Sequence, residues 1–191
     1  MSRLIQAEAT AILAVVLRGK AEFVTVTGVD VTPDGPRVRF AQVPRPRPRD
    51  PKAAPADTTV LCELLSRTLA LRWRTPSPVA PEDSYVALTK AYPTVYTTTT
   101  ETSAGWHWLL AALAEVLVEL GLPAGFQTLQ VKEKFATLRF YWGADDDARV
   151  GFGAIINAAE RLSGGICDAC GRPGRFRSGG WSKTACDDHA R

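Results

Sequence analysis

The stretch Gln127-Thr128-Leu129-Gln130-Val131-Lys132-Glu133-Lys134-Phe135-Ala136-Thr137-Leu138-Arg139-Phe140-Tyr141-Trp142 decides the fold class. Gln127 to Val131 and Thr137 to Trp142 read as strands that flank the segment Lys132 to Phe135, with Leu138 and Phe140 facing inward and Arg139 outward. Upstream, Trp106, Leu109, Leu110, Leu113, Val116, Leu117 and Leu120 recur at helical spacing. Ser103 is placed to cap that helix, and Gly121 and Pro123 to end it. Downstream, Gly143 to Asp147 makes a turn. Arg149 to Leu162 then carries Ile155, Ile156, Ala159 and Leu162 on one helical face. Helices and strands mixed in this way predict an α+β fold, a small mixed helix/strand body.

Working outward to the N-terminus, Leu4 to about Arg18 is dense in Leu, Ile, Val and Ala and predicts a mostly buried helix. Glu22 to Thr27 alternates with period two, a turn follows at Pro33-Asp34-Gly35-Pro36, and Arg37 to Val43 alternates again. This is a hairpin with Arg37 and Arg39 toward solvent. The Pro/Arg-rich run 44–55 is an extended loop, because each proline removes a backbone donor and restricts the residue before it. Asp57 and Thr58 can cap a helix reaching about Trp73. Pro76, Pro78 and Pro81 break structure again, and the Tyr, Val and Thr of Tyr85 to Thr102 suggest strands around Pro93. No internal repeat is visible. The expected organisation is an N-terminal α+β region over 1–100, a helix-strand-helix region over 101–163, and a finger over 164–191.

Composition limits the function classes. The chain has 191 residues, 46% of them hydrophobic and 23% charged, as expected of a globular protein with a real core. A formal charge of +3 permits contact with nucleic acid or an acidic protein without demanding it. No stretch approaches the roughly 20 apolar residues that span a bilayer, and Met1-Ser2-Arg3-Leu4 leads into no cleavage site. A cytoplasmic protein without membrane contact is expected.

Of the four cysteines, Cys62 sits in the apolar run Val60 to Leu65 and reads as a buried core thiol. The other three cluster as Cys167-x-x-Cys170, a spacer, and Cys186-x-x-His189. Two pairs at matching spacing predict one structural Zn2+ held by Cys167, Cys170, Cys186 and His189. Such a Cys3His set closes all four tetrahedral positions and leaves none for catalysis. A redox Cys-x-x-Cys pair would not explain the second pair. Gly171 suits a knuckle, and Gly174, Gly179 and Gly180 suit a short hairpin across the spacer, giving a zinc-ribbon or treble-clef-like finger.

From Gly105-Trp106, through Gln130 to Tyr141, to Cys167-Asp168-Ala169-Cys170-Gly171 and Gly180-Trp181-Ser182-Lys183-Thr184-Ala185-Cys186, the chain resembles a family of uncharacterised bacterial and phage proteins. That family reads Lys-Glu-Lys-Phe-Gly, then Leu-Arg-Phe-Tyr, a helix and the zinc pairs. The resemblance covers roughly residues 105–189 and implies the metal site and a phage- or defence-associated accessory role, with no established activity. Ala136 stands where the family has Gly, which puts the tight turn there in question.

Several features bear on partners. Lys132, Lys134 and Arg139 mix with aromatics as single-strand nucleic-acid surfaces do, and as an ordinary amphipathic strand does. In the finger, Arg172, Arg175, Arg177 and Lys183 surround Phe176 and Trp181 and could grip phosphates, although Asp168, Asp187 and Asp188 offset part of that charge. Arg45, Arg47 and Arg49 fit a solvated loop, a minor-groove arm, or a polyproline ligand. Asp145 to Asp147 reads as a solvated acidic turn. His107, between Trp106 and Trp108, reads as packed or capping. No catalytic motif stands out, so an enzyme is disfavoured. The sequence favours a zinc-stabilised adaptor or inhibitor that binds another protein. The alternative is a nucleic-acid-binding accessory protein using the basic finger and the Pro/Arg loop.

Overall fold

The computed structural model describes residues 1–18, 24–42, 58–145 and 149–190. Its body contains α1 (Ser2–Leu17), β1 (Val24–Thr32), β2 (Gly35–Gln42), α2 (Thr58–Arg72), α3 (Ser84–Ala91), β3 (Thr100–Glu101), α4 (His107–Glu119), β4 (Gln127–Lys134), β5 (Thr137–Gly143) and α5 (Arg149–Ser163). The finger adds the short strands β6 (Arg175–Arg177) and β7 (Lys183–Ala185). The architecture is α+β, with the Cys/His cluster at the C-terminal end. No helix among the described residues is long and apolar enough to cross a membrane.

One apolar cluster runs from Ile5 to Ile166. At its centre is α4, whose Leu109 through Ala114 and Leu117 are all buried because the helix is apolar nearly all round. It packs against both α2 and α5. Around it the same ββα unit occurs twice. The hairpin β1–β2 is followed by α2 on its second strand, and the hairpin β4–β5 is followed by α5 on its second strand. In each unit a buried serine of the helix covers a strand-edge amide. Val38 N–H donates to Ser66 Oγ at 2.9 Å, and Leu138 N–H donates to Ser163 Oγ at 2.8 Å. Phe140 N–H donates in turn to Glu160 Oε1 at 2.9 Å. These contacts satisfy donors that an open edge would offer to another strand. This recurrence has no counterpart in a readable sequence repeat, because what recurs is topology.

Most expected elements form, with four differences. The span Tyr85–Thr102 contains a helix, α3, and only Thr100–Glu101 as strand. Burial overrides β propensity there: Leu88, Val95 and Tyr96 are wholly buried, and Tyr96 O–H donates to the Leu110 carbonyl at 2.6 Å. Ser103 makes no side-chain cap. It precedes a 3-10 turn, Ala104–Trp106, and α4 starts only at His107. β1 extends beyond Thr27 to Thr32. Lys132 to Lys134 continue β4, so that Phe135 and Ala136 alone form the loop. Both have positive φ, +53° and +64°, as a two-residue type I′ hairpin loop requires. The tight turn therefore survives with Ala136 in the position where the resemblance has Gly. The Pro/Arg-rich loop 44–55, Glu22, Asp57, Asp146 and Asp147 lie outside the described residues.

Candidate metal centre

The site is assembled from two local turns. Cys167 N–H donates to the Arg172 carbonyl at 2.7 Å and Gly171 N–H to the Cys167 carbonyl at 2.9 Å, so the backbone folds back around Cys167 and Cys170. Gly171 takes φ +74°, and a Cβ there would come within 2.6 Å of the Trp108 ring. The β6–β7 hairpin then returns the chain, pairing Arg175 with Ala185, and delivers Cys186. A 3-10 turn over Asp187–His189 swings the imidazole back toward Cys186.

The ligand atoms of Cys167, Cys170, Cys186 and His189 all lie within 4.8 Å of one another. Cys170 Sγ and Cys186 Sγ are 3.8 Å apart, as are Cys167 Sγ and His189 Nδ1, while Cys186 Sγ is 3.1 Å from Nδ1. Bonds of about 2.3 Å to sulfur and about 2.0 Å to nitrogen make a tetrahedron with edges of roughly 3.5–3.8 Å. The donor set and its spacing thus fit a four-coordinate cation. The cysteines are free thiols, and these sulfurs stand well beyond the roughly 2.05 Å of a disulfide. Burial pushes the Cys167 thiol up to about 11. At Cys186 the rise from burial is outweighed by hydrogen bonds with His189, Cys167 and Cys170 together, and the thiol falls to about 6. A cation would expel the remaining protons.

The cluster is built into the body. Gly105 N–H donates to the Asp168 carbonyl at 2.7 Å, and a Cβ on Gly105 would lie 2.3 Å from the Cys167 carbonyl oxygen. Trp106 Nε1–H donates to the Ile166 carbonyl at 3.0 Å. Thr184 O–H donates to the Ala136 carbonyl at 2.7 Å, tying β7 to the β4–β5 turn. Arg72 Nε–H reaches the Gly171 carbonyl at 3.1 Å from the end of α2. Its guanidinium is buried, 5.3 Å from the ring centres of both Trp73 and Trp108. It pairs with Glu8 at 3.4 Å, and Glu8 also accepts from Trp73 Nε1–H at 2.8 Å. Burial raises the Glu8 pKa and lowers that of Arg72, in each case against the partner's charge. Glu8, Arg72 and Trp108 escape sequence reasoning, since nothing local marks them. Gly105 was signalled only by its place in the Gly105-Trp106 block.

The other expected contact residues separate into two groups. In the finger, Arg172 pairs with Asp188, while Arg175 (at 3.0 Å) and Arg177 both pair with Asp187. Lys183 lies near the Asp168 carboxyl. Phe176 and Trp181 are exposed. On the hairpin, the cross-strand pairs Gln130–Tyr141, Lys132–Arg139 and Lys134–Thr137 share the face opposite buried Val131, Leu138 and Phe140. Lys132 Nζ sits 5.6 Å over the Tyr141 ring, and Lys134 Nζ 5.4 Å over the Phe135 ring. Arg139 donates to Thr137 Oγ1 and the Leu138 carbonyl, both at 2.7 Å. Arg45, Arg47 and Arg49 lie outside the described residues. His107 is packed, with Nδ1 3.0 Å from Ser84 Oγ. No protein-family model, curated protein or solved structure matches the chain.

Proposed function

We propose that the protein is a zinc-stapled, single-strand nucleic-acid-binding accessory protein, in which the metal is structural and the outer face of the β4–β5 hairpin is the contact surface. One zinc on four protein ligands leaves no open position for substrate. Its finger, with a knuckle, a hairpin and a short terminal turn that each position ligands, is treble-clef-like. The observation that carries the binding reading is the hairpin face itself. It presents Lys132, Lys134 and Arg139 with Tyr141 on one face, edged by the Glu101 carboxylate beside Lys132, and the three cations with a ring are the mixture that tracks a backbone and stacks bases. Within the finger, Arg172, Arg175 and Arg177 are engaged by Asp187 and Asp188, which weakens the case for the finger as a phosphate grip.

Fluorescence anisotropy with a labelled 12-nucleotide oligothymidylate across a salt series tests this reading. Affinity falls steeply with salt, and the double variant Lys132→Ala/Arg139→Ala lowers both affinity and the salt slope. An absence of binding to DNA and RNA 12-mers at low salt overturns it. A protein-binding adaptor or inhibitor is the second reading, favoured by the exposure of Trp181 and Phe176 beside arginines already paired. Recovery of a stoichiometric protein partner that a Trp181→Ala variant loses, from an extract treated with nuclease, would support it.

A further inference from the structure

Between α1, the residues after α2 and the finger knuckle lies a pocket of about 590 Å³, a size that suits a small organic ligand. Its walls are mostly apolar. Ala7 and Ala11 of α1, Trp73, Pro78 and Pro173 supply most of them, with Leu4 and Val79 exposed at the same site. The polar side chains of the lining are Ser77, Arg172, Glu8 and Arg72. Arg172 is paired with Asp188. Arg72, 4% exposed, directs its guanidinium to the Gly171 carbonyl and to Glu8.

Glu8 is less well served. Its side chain is 14% exposed, and an ionised carboxyl offers about four acceptor sites. Oε2 accepts from Trp73 Nε1–H at 2.8 Å, but Arg72 Nη1 stands 3.4 Å from both oxygens, longer than the roughly 2.7–2.9 Å of a charge-assisted bond. Oε1 has no closer partner among the described residues. A buried carboxylate oxygen in want of a donor costs free energy, and burial raises the Glu8 pKa despite Arg72 and Trp73.

We infer that this pocket binds a small, neutral, apolar molecule that donates one N–H or O–H to Glu8 Oε1. An anion would find both guanidinium groups engaged and the Glu8 carboxylate beside them. A cation would approach the same carboxylate against the charge of Arg72. A neutral donor completes the carboxylate without adding charge to a buried pair, while its apolar body replaces water along the walls. None of the lining residues belongs to the β4–β5 hairpin, so the site is separate from the nucleic-acid reading.

Ligand-observed NMR titration of the full-length, metal-loaded protein tests this with indole, 1-methylindole, indole-3-acetate and tryptamine. Indole is the neutral donor, 1-methylindole lacks the N–H, and the other two carry opposite charges. Indole is expected to bind with Kd below about 1 mM, and 1-methylindole at least about ten-fold more weakly, the scale of a hydrogen bond to a charged acceptor. Ala7→Phe places a ring in the pocket from an exposed helix position and leaves Glu8 and Arg72 in place. It should bind indole at least about ten-fold more weakly at unchanged Tm. The probe comparison is made on the parent and decides the matter whatever the variant does. Equal binding of indole and 1-methylindole, or tighter binding of either charged probe, overturns the inference. So does indole binding retained by a folded Ala7→Phe variant, which puts the probe elsewhere, and so does an absence of indole binding at about 1 mM.

Discussion

Gly105 shows how much one missing methyl decides. It lies in the 3-10 turn before α4, and its amide holds the Asp168 carbonyl in the middle of the Cys167–Cys170 knuckle. An added Cβ would meet the Cys167 carbonyl oxygen at 2.3 Å and the Asp168 carbonyl carbon at 2.5 Å, and both are backbone atoms that cannot rotate away. Gly105→Ala is therefore expected to destabilise the folded protein by about 1–3 kcal/mol. It should also weaken metal retention about 10- to 100-fold, as lost support around a metal site does. Chelator competition reads the second effect. Gly180→Ala, with nothing within 4 Å of the new methyl, is the matched control and should be silent. His107 makes a second prediction at this scale. Burial lowers its pKa below the ordinary 6.5, so the folded state resists protonation. In the unfolded chain His107 binds its proton first as pH falls, so its contribution is intact above about 6.5 and is lost as pH falls toward the folded value. Comparing His107→Gln with the parent by urea denaturation between pH 7 and 5 isolates this, because any metal loss is common to both. The parent should lose more stability on acidification than the variant, and equal slopes would exclude the effect.

Between residues and the whole, the elements show why sequence reading reached as far as it did. Strands β4 and β5 were legible because Val131, Leu138 and Phe140 alternate with polar or charged neighbours such as Gln130, Lys132, Thr137 and Arg139. The Cys/His cluster was legible because its members form two short local pairs whose spacing is itself the signal. α3 was not legible, since Tyr85, Val86 and Thr89 favour strands and only the burial of Leu88 against the body selects the helix. The recurrence of the ββα unit was hidden for a similar reason. Its common device is one serine reaching a strand edge, 28 residues from Val38 in one unit and 25 residues from Leu138 in the other. Such a contact leaves no periodicity. Its energetic weight is testable. Ser163 is fully buried and Ser66 nearly so. Ser66→Ala and Ser163→Ala each leave a buried amide without an acceptor, at an expected cost of about 1–3 kcal/mol in urea denaturation. Thr89→Ala removes an exposed local hydrogen bond and should stay within about 0.5 kcal/mol of the parent. If the serine variants match Thr89→Ala, edge capping contributes nothing to stability.

At the scale of the molecule, the finger and the body depend on one another. Among the described residues the finger's own buried apolar cluster is Cys167, Ala185 and Cys186 with Cys170 against it, too little to hold a fold alone. Its turns are instead tied down by Gly105 and Trp106 of the 3-10 turn before α4, by Arg72 at the end of α2 and by Ala136 of the β4–β5 loop. The dependence also runs the other way. The buried Arg72 satisfies the Gly171 carbonyl and Glu8 together, so loosening the knuckle removes one partner of a buried charge and weakens the junction of α1 with α2. Metal binding energy is then folding energy for the whole chain. At a free metal concentration about 1,000 times Kd, removal costs about 4 kcal/mol. In a chain of this length that corresponds to a fall of roughly 10 °C in Tm. The expected result on chelation is one cooperative transition shifted downward, seen alike by far-UV circular dichroism and by tryptophan fluorescence, to which Trp73, Trp106 and Trp108 at the junction contribute together with Trp142 and Trp181. A body that melts at its original temperature by circular dichroism after the metal is gone, with a change in tryptophan fluorescence alone, would show instead that the finger is an independent appendage and that Arg72 couples nothing.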